Sequence, residues 1–158
     1  MKYGKLILEK CDFVMIKKFQ QENKTYADYA HKNTLDILKK NMSKAIVLNH
    51  SNFPTDIVQM YSTITLTCNT SWQEKFQLVP PSKENIKKNK ISVISTLGAS
   101  IIGLSESDVL KYGLPGNIMS LKIEKVIQLQ HRELIEISEE VFKKMLPKNY
   151  KKNITIGI

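Results

Sequence analysis

The side chains able to do covalent or metal chemistry are few and scattered. Cys11 and Cys68 are the two cysteines of the 158-residue chain, too few for a disulfide framework. They read as reduced, mostly buried thiols. The three histidines, His31, His50 and His131, have no second histidine or cysteine at ligand spacing, and zinc needs a clustered set. No Gly-x-Ser-x-Gly turn is present to raise a nucleophilic serine. No glycine-rich phosphate loop or kinase motif occurs either. The expectation is a protein that is not an enzyme, with no catalytic residue, no metal site and no cofactor.

The charge is +9, from 24 Lys plus Arg against 15 Asp plus Glu, and the only arginine is Arg132. Lysine is a point charge, whereas arginine is the planar fork that reads bases and phosphates in pairs. The excess is spread along the chain. Residues 1–55 hold ten lysines against five acids, residues 56–130 eight against six, and residues 131–158 six cations against four acids. Two readings stay open: a solvated lysine-rich surface, or a weak, non-specific, salt-dependent contact with nucleic acid. No apolar run reaches the 18 or so residues that a membrane-spanning helix needs. The stretch Met1 to Lys10 has only a three-residue apolar run before a charge, too short for a signal-peptide core. A cytoplasmic protein without membrane contact is expected.

The elements that must position any site are α+β. Residues 5–9 read as a short extended lead. Asp12 stands where a helix N-cap is expected, followed by Met15, Ile16 and Phe19 at helical spacing. Gln21 to Thr25 is a polar turn. Ala27, Ala30, Leu35, Leu38 and Met42 then form a second helical stripe of about 17 residues, or about 25 Å. Two helices joined by a short turn predict an antiparallel hairpin over residues 1–50, a short coiled coil. Residues 51–55, with Pro54, read as a linker.

Alternation takes over at residue 56. Val58 to Cys68 keeps period two over eleven residues, and Trp72 to Val79 returns. Ile91 to Ser95 predicts a third strand. Thr96 caps a short helix from Leu97 to about Leu104. Val109 to Tyr112 predicts a brief strand, Leu114 to Asn117 a turn, and Ile118 to Leu129 the last strand, closing a unit at about residue 130. The extension 131–158 leaves alternatives open. Glu139 to Met145 could be a helix capped by Ser138, or Leu134, Ile135 and Ile137 could prolong the preceding strand. Ile154 to Ile158 has strand composition.

Three stretches carry a family likeness: Asp56-Ile57-Val58-Gln59-Met60-Tyr61-Ser62, Phe76-Gln77-Leu78-Val79-Pro80-Pro81, and Ile91 to Leu104 with Leu114-Pro115-Gly116 after it. In this order and spacing they resemble the C-terminal domain of the GreA/GreB transcript-cleavage factors. They look closer still to Rnk, the regulators of nucleoside diphosphate kinase, which share that domain. The likeness spans about residues 5–130. It implies an FKBP-like body, an antiparallel sheet wrapped on one short helix. It also implies RNA polymerase as partner, docked at the rim of the secondary channel with the hairpin pointing inward. The family's docking segment maps onto Ser95, Thr96, Leu97 and Gly98, with Thr96 where the family has proline. Leu114, Pro115 and Gly116 are retained, and the family's Gly-Asp pair after the helix reads Ser107-Asp108.

Gre factors carry paired acids at the hairpin tip that help hold a magnesium ion. Here the tip is Glu22, Asn23 and Lys24. One carboxylate beside an ammonium is a poor handle for a hard cation that wants carboxylate oxygens. The resemblance with this tip and short arm implies an elongation regulator that competes with longer factors for the docking site and does not stimulate cleavage. Two rivals remain. A direct DNA-binding protein is favoured by charge but lacks a reading motif. A peptidyl-prolyl isomerase follows from fold alone, which does not carry function. Oligomeric state is not legible.

Overall fold

The computed structural model describes residues 1–69, 72–114, 116–132 and 138–145. Its body is one five-stranded sheet of order β5-β4-β3-β7-β6. The strands are β3 (Thr63–Cys68), β4 (Gln73–Val79), β5 (Lys90–Ser92), β6 (Val109–Leu114) and β7 (Asn117–Ile127). Alternation decides which side is dry. Ile64, Leu66, Phe76, Leu78, Leu121 and Ile123 are buried on one face, where helix α3 (Thr96–Ile101) adds Ala99 and Ile101 to the same core. The β3–β4, β3–β7 and β6–β7 pairs are antiparallel, but β4 and β5 run parallel. The expected all-antiparallel sheet is corrected at that edge. The crossover there is the stretch from Pro80 to Asn89, two short 3-10 turns over Pro81–Lys83 and Ile86–Lys88.

The arm begins with β1 (Ile7–Glu9), continues through α1 (Lys10–Glu22) and α2 (Tyr29–Met42), and ends in β2 (Ile46–Leu48). β1 and β2 pair in parallel, Ile7 opposite Ile46, so the chain enters and leaves the arm at one place. This small sheet, and β2 with it, was not expected from the sequence. It is tied to the body: the Ile7 N–H donates to the Gly103 carbonyl oxygen at 3.2 Å. Gly103 has φ +79°, and a Cβ there would crowd Leu6, Ile7 and Leu8. α1 and α2 touch one another sparingly, and α2 makes more of its contact with α3.

Several boundaries move. The long strand expected from Val58 starts only at Thr63, because Tyr61 has φ +70° and the backbone of Val58 bonds to Gly103 and Leu104 instead of a neighbouring strand. α1 is capped by Glu9, whose carboxylate accepts from the Cys11 N–H, and Asp12 lies inside the first turn. α2 is 14 residues long, shorter than expected, with Asp28 as its cap. α3 is capped by Ser95, not Thr96, and ends at Ile101. The linker holds a 3-10 turn at His50–Asn52. α4 (Glu139–Met145) follows Ser138, whose carbonyl accepts from the Phe142 N–H at 2.9 Å and whose hydroxyl accepts from the Val141 N–H at 3.3 Å. Leu134, Ile135, Ile137 and Ile154 to Ile158 lie outside the described residues. Among those described, no helix is long and apolar enough to cross a membrane.

Candidate functional site

The segment Ser92 to Gly98 is built as a tight entry to α3. The Ser92 carbonyl accepts from both the Ser95 N–H and the Ser95 hydroxyl, and the Ser95 oxygen accepts from the Gly98 N–H at 3.0 Å. One serine thus closes the turn and satisfies a free helix donor. Gly98 is buried, and a Cβ on it would collide with the Ser92 carbonyl oxygen and approach Leu78 at 3.0 Å. Glycine is needed there for space. Ser95, Thr96 and Leu97 are half-buried, their outward sides available to a partner.

α3 also packs on β6, which ends at Leu114. The two halves of the expected docking surface therefore belong to adjoining elements. Gly116 is exposed with φ +87°, consistent with a tight turn between β6 and β7. Pro115 lies outside the described residues. Ser107 has φ +78° and donates its N–H to the Ile123 carbonyl, while Asp108 accepts from the backbone and hydroxyl of Ser105. The departure Ser107-Asp108 therefore keeps a strained corner where glycine would be easier.

The arm's tip folds back beside this segment. A cleft of about 370 Å³ is lined by Asn23, Thr25 and His31 from the arm and by Pro81, Ser95 and Thr96 from the body. His31 spans it. Its Nδ1 accepts from the Ala27 N–H at 3.0 Å, which leaves Nε2 as the protonated nitrogen, donating to the Ile94 carbonyl at 2.7 Å. Glu22 and Lys24 are exposed, and Asn23 ends α1 with its amide donating to the Thr25 carbonyl at 2.8 Å. Asp28, the next acid along, accepts from the His31 N–H as the cap of α2. Asn23 of the tip and two of the expected docking residues, Ser95 and Thr96, thus share one cleft.

Sequence reasoning missed the polar joint between arm and body. Arg132, placed just after β7, reaches Asp12 (Nη1 to Oδ1, 2.6 Å), Glu9 (Nη2 to Oε2, 3.0 Å) and the Met60 carbonyl (3.2 Å). Asp12 also accepts from the Met60 N–H at 3.1 Å. All three charged side chains are buried. Burial pushes the Asp12 carboxyl up to about 6 against the pull of Arg132. Two acids face one guanidinium, so the ionised cluster holds one negative charge in excess. Two signals were present: Glu9 and Asp12 lie three residues apart on the face that also buries Phe13 and Ile16, and Arg132 is the one arginine.

A curled sheet around a short capped helix, preceded by a two-helix arm, defines an α+β protein of GreA/GreB-like fold. The Nitrosomonas europaea protein described as a prokaryotic transcription elongation factor GreA/GreB superposes with a TM-score of 0.66 at 20% identity, over 79% of this chain and 99% of that one. Residues 53–128 match the family model "Transcription elongation factor, GreA/GreB, C-term". The transcription elongation factor GreA of Syntrophus aciditrophicus is 32% identical over 90 residues, 56% of each chain. That of Phenylobacterium zucineum is 27% identical over 90 residues, 56% of this chain and 57% of that protein. The chain spans little more than half the length of these curated relatives.

Proposed function

We propose that the chain is an RNA polymerase-binding regulator of transcription elongation, of the Rnk type, acting by occupancy and not by stimulating transcript cleavage. The observation that carries the polymerase reading is the match of residues 53–128 to the GreA/GreB C-terminal family model; the segment assigned to docking, Ser95 to Gly98, is held by the Ser95 cap and the glycine contact. The docking surface in this reading is Ser95, Thr96, Leu97 and Gly98 with Leu114, Pro115 and Gly116.

The tip supports the non-cleaving part. Glu22 is the single acid in the turn that is not already engaged, because Asp28 serves as the helix cap. A divalent ion placed there would meet one carboxylate and the Lys24 ammonium, too little to replace its hydration shell. The arm also leans on the body instead of standing clear of it, so its reach is short.

The test is retention on immobilised core RNA polymerase, repeated with a Gre factor as competitor, and a cleavage assay on stalled elongation complexes. Retention that the competitor abolishes, with no added cleavage, is the expected result. A Leu97→Asp variant with an unchanged fold should not be retained. Absence of retention, or retention indifferent to the competitor, would defeat the docking reading. Added cleavage would defeat the occupancy reading.

A further inference from the structure

We propose that the outer face of the five-stranded sheet binds the phosphate backbone of duplex nucleic acid without reading sequence. The ladder registers lay this face out. Thr63 lies between Gln77 and Ile127, Thr65 between Lys75 and Lys125, and Thr67 between Gln73 and Lys122. Gln77 is flanked by Lys90 on β5, and Ser120 by Lys111 on β6. The neighbours of these residues along each strand, Ile64, Leu66, Phe76 and Leu121 among them, are buried on the inner side with α3. Alternation therefore sends the lysines outward.

The lysines form a diagonal. It starts at Lys90 on one edge, passes Lys75, Lys125 and Lys122, and ends at Lys111 on the other edge. With strands about 4.8 Å apart and alternate residues about 6.8 Å apart, steps are about 7–10 Å and the whole stripe about 28 Å. That length matches about eight base pairs at 3.4 Å each. The sequence showed the positive excess as spread. Strand pairing gathers five lysines against one outward acid, Glu124. Glu124 faces out because the β3–β7 register slips between Thr65 and Leu66, and it is held by Thr67 at 3.2 Å and Lys122 at 3.7 Å.

The chemistry of the face selects the ligand. Lysine contacts phosphate as a point charge and does not fork onto base edges. None of the described residues pointing outward from these strands is aromatic, so there is no platform on which unpaired bases would stack. The exposed apolar residues, Val109, Ile118 and Ile127, stand singly at the margins and make no continuous patch. This surface does not depend on polymerase binding, and free protein suffices to test it.

The experiment is fluorescence anisotropy of the full chain with a labelled 20-base-pair DNA duplex of mixed sequence between 50 and 200 mM NaCl. If all five lysines engage phosphates, affinity should fall about 500-fold over that range. A variant carrying Lys75→Glu, Lys122→Glu and Lys125→Glu should bind at least about tenfold more weakly at 50 mM and lose about three from the logarithmic salt slope. Glu124→Gln should bind more tightly. Lys18→Glu with Lys40→Glu, exposed on the arm, should change neither. Should the glutamate variant fail to fold by circular dichroism, Lys→Gln at the same three positions reads the same slope. No binding at 50 mM, equal losses from arm and sheet variants, or tighter binding to a single strand of the same length would overturn the proposal.

Discussion

Body and arm share one apolar core, but the arm adds polar joints that the strand ladder lacks. The body is a ladder of strand pairs over an apolar core, in which each contact is one of many alike. The arm shares that core through Phe13, Ile16, Leu35, Leu38 and Met42, and adds a few dissimilar joints: the Ile7–Gly103 bond at its base, the Glu9–Asp12–Arg132 cluster at its root and the His31 bridge at its tip. Loss of one member of the packing leaves a cavity. Loss of the one buried arginine strands two carboxylates away from water.

The largest expected effect follows from that contrast. Arg132→Ala should cost about 3–5 kcal/mol in urea unfolding, as much as about 3–5 kcal/mol for Phe76→Ala in the body core. A loss below about 1 kcal/mol for Arg132→Ala would place the arm's anchorage elsewhere. Next is Gly98→Ala, at about 1–3 kcal/mol, because the added methyl meets the Ser92 carbonyl and not a flexible side chain. The same variant should weaken polymerase retention.

The buried acid gives a pH signature that the body lacks. Asp12 is raised from 3.8 to about 6 in the folded chain. Between those values the folded protein holds a proton that the unfolded chain has released, so this group's contribution to stability falls as pH rises from about 4 to about 6. The change should be on the order of 1–2 kcal/mol, and Asp12→Asn should remove that part of the pH profile. Stability that rises over the window by the same amount in both proteins would show that Asp12 does not titrate there. The smallest effects are the two caps. Asp28→Ala and Ser95→Ala should each cost about 1 kcal/mol. The first should speed amide exchange in α2 alone, the second in α3 and its docking segment.

The same contrast sets what was legible. The run Gln73 to Val79 and the helical stripe from Leu35 to Met42 were readable because each buries one face at a fixed period, a local property. A short helix around Leu97 was readable from the capping residues before it, although its cap is Ser95 and not Thr96. Asp12 was misread as a cap because caps and buried acids share residue types, and its partner is 120 positions away. β2 is too short to show a period. The start of β3 at Thr63 follows from Tyr61 at φ +70° and from Val58, whose backbone bonds to Gly103 and Leu104 in another part of the chain. The shared cleft and the lysine diagonal exist only once strands and helices are paired, and a single sequence does not print that pairing.

The little parallel pair at the arm's base sets a rule for exchanging parts with longer relatives. Its two strands are the first and last turns of the excursion, and one of them is bonded to the glycine after α3. A graft cut at the apparent linker would carry off both strands of this clasp and leave the Gly103 carbonyl without its Ile7 partner. A splice made inside it, between Glu9 and Ile46, would keep the mount intact and let a different prong be fitted.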